Sequence, residues 1–330
     1  RIASLRSFMI KGIEMDQILA QRLLVEGATL VMLDVPVGTE FGIDLKSWNT
    51  VDCFKGIKMI PPGFHYVHYS AVDEFGEATP KVGFFHVFKK SEFLVKRWDA
   101  KEEDLSSETI EEETVERYKS NLKDLDRFLG CYPYDIWKQW KELTNHITPP
   151  LVERCSPICG YNIALMLQDQ EVENQVRKEE GGNFDFQKYL VIKYFPIEII
   201  GEMELAFVCF LVGQSFDAFE HWKKLVSLIC GADCAISQRR AIYIEFMKAL
   251  EVQLMHVPED ILCDIVANNN FVYHNLRKLF ANIEMNSELD GRLKSYTTRF
   301  SGRLSIKFLW DFSNLQEETE DEAPVVVSIE

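Results

Sequence analysis

The sequence predicts an α+β protein, with an antiparallel β-sandwich or barrel-like domain first and an all-helical domain second. Three observations carry this. Residues 37–69 are punctuated by Gly38, Gly42, Gly56, Gly63 and the pair Pro61-Pro62, with short β-branched and aromatic runs between them. From Pro196 onward, apolar residues recur at three- and four-residue spacing. Between these regions, at Asp99, the composition turns acidic. At 330 residues the chain is long enough for two domains, each burying its own core.

The elements follow in order. Residues 1–14 are basic and Ser-containing, and read as an extension or expression-derived residues, or as a weak targeting peptide. Met15-Asp16 looks like the more natural start. Asp16 is placed to cap a short helix with Ile18, Leu19 and Leu23 on one face and Gly27 as its stop. Residues 28–35 read as a buried strand closed by Pro36. Further strands fall at 40–43, 57–60, 64–69, 82–88 and 93–98. The short link 89–92 suits a hairpin. These elements define a β-rich domain over residues 15–100.

Residues 101–116 carry eight acids and read as a solvated linker. Val115, Tyr118, Leu122, Leu125 and Leu129 then predict a helix ending at Gly130. Pro133 opens a second, over residues 134–147, which Pro149-Pro150 stops. Residues 101–150 thus form an acidic linker with helices, and 151–195 a connecting region. Helices follow at 197–212, 215–230 (capped by Ser215), 237–256, from Pro258, at 271–283 and at 289–309. This helical domain spans 196–312 and is closed by Trp310-Asp311-Phe312. Residues 313–330 are an acidic tether, with five acids in the six residues 317–322, followed by A-P-V-V-V-S-I-E. Such an apolar, β-forming end either pairs back onto its own sheet or adds a strand to another protein's sheet edge.

Composition narrows the function classes. The formal net charge of −16 disfavours tight binding to bare nucleic acid or to an anionic membrane surface. No apolar run approaches the roughly 20 residues of a membrane span. Eight cysteines show no regular framework. Cys155/Cys159 and Cys230/Cys234 are C-x3-C pairs, and reduced buried thiols fit them better than a shared zinc. His65, His68 and His86 lie in predicted strands and raise a metal-dependent jelly-roll enzyme as an alternative. However, strand alternation points His65 and His68 to opposite faces. His221 with Cys209 or Ser215 lacks any activated arrangement. Trp137 and Trp140 read as core. The sequence therefore predicts no catalytic, cofactor-binding or metal-ligating residue, and a protein that is not an enzyme.

Several strings carry a resemblance: G-T-E-F-G-I-D at 38–44, S-W at 47–48, F-K-G-I-K-M-I-P-P-G at 54–63 and H-Y-S at 68–70. To these are added G-F-F at 83–85, R-W at 97–98, E-M-E-L-A-F-V-C-F-L-V-G at 202–213, A-F-E-H-W-K at 218–223, W-D-F at 310–312 and A-P-V-V-V at 323–327. Together they resemble the A1-α2-repression (Aar-two) splicing factor family, in order, over most of residues 15–330. Residues 151–193 depart from it, and residues 1–14 have no counterpart.

The resemblance implies a helical domain of the VHS-like kind. It also implies a non-enzymatic, chaperone-like assembly factor of the U5 small nuclear ribonucleoprotein in pre-mRNA splicing. The expected partner is the largest U5 protein (Prp-eight), bound through its RNase H-like and Jab/MPN domains, with binding of the helicase (Brr-two) delayed during maturation. No direct contact with nucleic acid is expected. Shuttling between cytoplasm and nucleus is implied. The family's tail strand lands on Pro324, Val325, Val326, Val327, Ser328 and Ile329. A generic helical adaptor with an intramolecular tail is the remaining alternative.

Overall fold

The computed structural model describes residues 17–71, 81–155, 198–257, 271–289, 291–313 and 315. The chain divides into two compact units, Arg1–Lys141 and Glu142–Glu330. The first carries all the described strands and the second is helical, so the α+β class holds.

The first unit is built on two sheets. One has the order β3-β2-β5-β6 and is antiparallel throughout: β2 (Glu40–Ile43), β3 (Lys46–Asn49), β5 (Gly63–Ser70) and β6 (Val82–Phe88). The other has the order β8-β7-β1-β4-β9: β1 (Ala28–Leu33), β4 (Gly56–Ile60), β7 (Phe93–Asp99), β8 (Asp104–Leu105) and β9 (Leu129–Cys131). It is mixed, because β1/β7 and β4/β9 pair in parallel. This departs from the all-antiparallel expectation. The link 89–92 is no hairpin either, since β6 and β7 lie in different sheets. Ser91 turns there with φ 53°, and its N–H donates to the Glu26 carbonyl at 2.9 Å. The turn sends β7 alongside β1.

Strand β1 is buried along its whole length because both of its faces are covered. Leu30 and Met32 meet Phe41, Ile43, Val67 and Phe88 between the sheets. Val31 and Leu33 face the other way, onto Val95, Leu125 and Leu129. Continuous apolar runs are what a doubly covered strand requires. Gly56 lies beside β1 with φ 129°, and an added Cβ would sit 2.0 Å from the Leu30 carbonyl oxygen.

The second cover on β1 comes from helices beyond residue 100, where the β-rich domain was expected to end. Helices α2 (Glu112–Ser120) and α3 (Leu122–Leu125) place Val115, Tyr118, Leu122 and Leu125 on that face. The spacing thus found the right apolar stripe. The single helix expected through Leu129 instead breaks at Asn121, and Leu129 and Gly130 belong to β9. Asp104-Leu105, inside the acidic run, pair with β7. The compact unit therefore extends to Lys141, beyond residue 100. Helix α1 (Gln17–Glu26) buries Leu23 but leaves Ile18 75% exposed, so the expected shared face is not formed. Asp16 lies outside the described residues.

A turn of 3-10 helix, Tyr134–Ile136, leads into α4 (Trp137–Leu143). In the second unit Pro149 and Pro150 open helix α5 (Pro149–Cys155) rather than ending one, since an N-terminal turn has no use for their missing N–H groups. Then follow α6 (Glu198–Leu211), α7 (Phe216–Gly231), α8 (Asp233–Gln238), α9 (Arg240–His256), α10 (Phe271–Met285) and α11 (Gly291–Phe308). Helix α6 is buried nearly all round, which its apolar sequence anticipates. Ser215 caps α7 by accepting from the Ala218 N–H at 3.2 Å, as expected. Phe216 is 76% exposed at the first position of that helix. The helix expected over 237–256 begins at Arg240, because Arg239 (φ −128°) separates α8 from α9. The helix expected from Pro258 lies outside the described residues.

Candidate interaction site

The residues that deliver the chain to its acidic end form the best-built feature of the second unit. Helix α11 stops at Phe308, and Leu309 takes φ 60° while its N–H still reaches the Ser305 carbonyl at 3.0 Å. That left-handed position usually falls to glycine. It reverses the chain, and Trp310 and Phe312 run back along α10. Trp310 is 1% exposed, with its ring 4.9 Å from Phe308 and 5.9 Å from Tyr273. Phe312 lies 5.3 Å from Tyr273 and 5.0 Å from Phe280.

Polar contacts fix the residue between them. The Tyr273 hydroxyl donates to the Asp311 carbonyl at 2.6 Å, and Arg277 Nη1 donates to the same oxygen at 3.3 Å. Arg277 also packs over the Tyr273 ring, 5.5 Å from its centroid. The Asp311 carboxylate accepts from the Ser313 hydroxyl (2.6 Å) and N–H (2.8 Å), and these bonds hold its pKa below the usual value. The W-D-F string is thus an anchor that sets where the following residues depart. Sequence reading flagged W-D-F but missed Tyr273, Arg277 and the turn at Leu309. A lone Tyr and Arg four residues apart carry no signal of a carbonyl supplied from 34 residues downstream. Residues 324–329, the expected tail strand, lie outside the described residues.

The other candidates resolve into structure. His65 and His68 are both buried, on opposite faces of β5. His65 Nδ1 lies 2.7 Å from Asp44 Oδ2, and its Nε2 lies 2.7 Å from the Pro61 carbonyl oxygen. Asp44 also accepts from the Tyr132 hydroxyl (2.6 Å) and the Tyr66 N–H (3.0 Å). Burial, then the Asp44 charge, raises the Tyr132 pKa far above its ordinary value, so the phenol stays a donor. His68 lies over Gly42, its Nε2 3.3 Å from the Asp44 carbonyl. Burial first, then Lys81, pushes its pKa down to about 4. His86 contacts Glu92 at 2.8 Å. Among the described residues no three His, Cys, Asp or Glu side chains form a group that could hold a metal.

His221 meets Glu202 at 3.0 Å, away from the nucleophile roles considered for Cys209 and Ser215. Burial pushes the Cys209 thiol up to about 12, leaving little thiolate at neutral pH. Trp140 is fully buried, with its indole N–H on the Phe64 carbonyl at 2.7 Å. Trp137 stacks on His65, with centroids 5.3 Å apart. Among the described residues no helix is long and apolar enough to cross a membrane.

Comparison with known proteins assigns both halves of the chain. Residues 26–157 match the model of the AAR2 N-terminal domain, and residues 166–313 match the AAR2 C-terminal repeat region. The chain is 34% identical to the protein AAR2 homolog of Mus musculus over 381 aligned positions, covering 97% of this chain and 98% of the relative. It is 34% identical to the Homo sapiens homolog (96% and 98% covered) and 32% to that of Caenorhabditis elegans (87% and 95%). The chain belongs to the AAR2 family. This is the family of splicing factors to which the motif strings pointed. The AAR2 N-terminal match runs well past residue 100, in keeping with a first unit that takes up α2, α3 and β9. The AAR2 C-terminal match ends at residue 313, where the W-D-F anchor ends.

Proposed function

We propose that this AAR2-family chain is a non-enzymatic assembly factor of the U5 small nuclear ribonucleoprotein. It binds the RNase H-like and Jab/MPN domains of the largest U5 protein (Prp-eight) and delays attachment of the helicase (Brr-two). It acts in the cytoplasm and follows its partner into the nucleus. Family membership supports the splicing role. The anchor at Trp310-Asp311-Phe312 supports the mode of action, and it is the observation that carries the reading. A fixed point of departure ahead of a V-V-V segment suits strand addition to a partner's sheet, where backbone bonds give affinity and alternate side chains give specificity. The formal net charge of −16 suits a protein partner better than bare RNA.

The test is capture of a fragment containing both partner domains by the full chain and by a chain lacking residues 324–330. Binding that falls at least tenfold on truncation is the expected result. Equal binding by both chains would remove the tail from the mechanism, and no binding by either would remove the partner.

A further inference from the structure

Sheet edges in the first unit are kept short, with one exception. Among the described strands the edge positions belong to β3, β8, β9 and β6. The first three are four, two and three residues long. β6 is seven residues long and reads V-G-F-F-H-V-F. It pairs with β5 in unbroken register from Val82 to Phe88, with no bulge and no proline. Edges of this length and apolarity are normally shortened, bulged or covered.

The groups on its outer side can be named. Tyr66 turns its backbone toward β2, since its carbonyl accepts from the Asp44 N–H at 2.8 Å and its own N–H donates to the Asp44 carboxylate at 3.0 Å. Backbone direction alternates along a strand, so His65 and Val67 face β6. Their partners there are His86 and Phe84. Gly83, Phe85 and Val87 therefore direct their N–H and C=O groups away from β5. Among the described residues nothing bonds to those groups. The Phe85 ring is held by Tyr66 at 4.5 Å and by Phe64 at 5.2 Å, so the edge is already fixed in place.

A charge beside the edge defines what fits. Along β7, Leu94 and Trp98 pack between the sheets, which puts Lys96 on that same side. Its Nζ lies 5.6 Å from the centre of the Phe84 ring. Lys96 is half-buried, and among the described residues no carboxylate pairs with it. An inward-pointing lysine of this kind bars an all-apolar strand, which would bury it without a counter-charge. It admits a strand with a carboxylate across from Phe84, because the side chains of facing residues share one side of the sheet.

We propose that the β6 edge receives an extended segment of a partner protein, apolar at alternate positions and carrying an acidic residue across from Phe84. Backbone bonds to Gly83, Phe85 and Val87 hold the segment, and Lys96 selects it. This goes beyond the role proposed above, in which the chain gives a strand rather than takes one. A second copy of this chain is a poor occupant. Antiparallel pairing of two β6 strands about Phe85 sets His86, not an acid, across from each Phe84 and leaves Lys96 uncompensated.

Hydrogen exchange of the full-length chain, read amide by amide, tests this. The probes are two short soluble peptides of alternating Val and Thr, one with a central Glu and the other with a central Lys. The Glu peptide is expected to slow exchange at Gly83, Phe85 and Val87 at least tenfold, at concentrations where the Lys peptide does nothing. Lys96→Glu reverses that preference, which a loss of packing alone would not do. Val87→Pro removes one outward N–H and no bond to β5, and it weakens binding of the Glu peptide at least tenfold with the circular dichroism unchanged. Equal protection by both peptides overturns the proposal, as does exchange at these three amides that neither peptide slows. Protection of the same amides that rises with protein concentration alone assigns the edge to a second copy and overturns it too. The tail takes no part in any of these outcomes, so the edge stands or falls apart from the function proposed above.

Discussion

His65 Nδ1 lies 2.7 Å from Asp44 Oδ2, and neither side chain is exposed to solvent. Asp44 holds φ 56°, so the carboxylate is delivered by a left-handed residue at the end of β2. One side chain thereby ties β5, through His65 and the Tyr66 N–H, to the segment after β9, through Tyr132.

Replacing Asp44 with Ala strands those donors in the core and costs about 3–5 kcal/mol, the usual penalty for breaking a buried pair from one side. Asp44→Asn costs less, because Asn tolerates the left-handed backbone and keeps an acceptor. Urea unfolding of the two variants checks the ranking, and equal losses would overturn it.

Two glycines respond in opposite ways to the same change. A Cβ on Gly42 would sit 2.1 Å from His68 Cε1 and 2.7 Å from the Lys46 carbonyl. Gly42→Ala is expected to cost roughly 1–3 kcal/mol through overpacking. Gly302 meets open space inside α11, so Gly302→Ala raises stability by up to about 1 kcal/mol. Denaturation midpoints of the two variants should move apart.

Two histidines give the units opposite pH dependence. Burial lowers His68 to about 4, so the unfolded chain takes up a proton near 6.5 that the folded chain refuses. Stability from this site is intact above pH 6.5 and is lost as pH falls from 6.5 toward 4, by about 3 kcal/mol in all. His146 behaves in reverse. Its Nδ1 donates to Glu204 at 2.7 Å, and that hydrogen bond raises its pKa despite burial. Its contribution is complete below pH 6.5 and is lost as pH rises through the raised value. Hydrogen exchange resolved by unit, run from pH 5 to pH 8, separates the two slopes. His146→Gln removes the second.

Truncating Trp310 empties the aromatic seat between Phe308 and Tyr273. Trp310→Ala costs about 3–5 kcal/mol of helical-unit stability. Deleting residues 324–330 leaves that stability unchanged while weakening capture of the U5 fragment. A truncation that also lowers the unfolding midpoint would show that the tail belongs to the fold.

Much of this architecture is legible in the residues, and the gaps have physical causes. β1, β2, β4, β5, β6 and β7 announce themselves by β-branched and aromatic runs, and the stripe Val115, Tyr118, Leu122, Leu125 by its spacing. β3 is K-S-W-N, too polar to stand out. β8 and β9 are two and three residues long and owe their form to partners. β9 pairs with Gly56, Ile57 and Lys58, about seventy residues upstream, and no local pattern encodes that. A four-residue link serves a hairpin or a crossing between sheets equally well, and the burial of β1 on two faces decides between them. At the tail anchor, Trp310 and Phe312 are visible as aromatics. The Tyr273 hydroxyl that fixes Asp311 is visible only once the helices are assembled.

The parallel seam between β4 and β9 has a practical corollary for anyone dividing the gene. An expression fragment ending at residue 100 would lack the strip of backbone that finishes the sheet, and the oily flank of Val31 and Leu33 would be left wet. Its product should clump. The compact body of the first half runs on through Lys141.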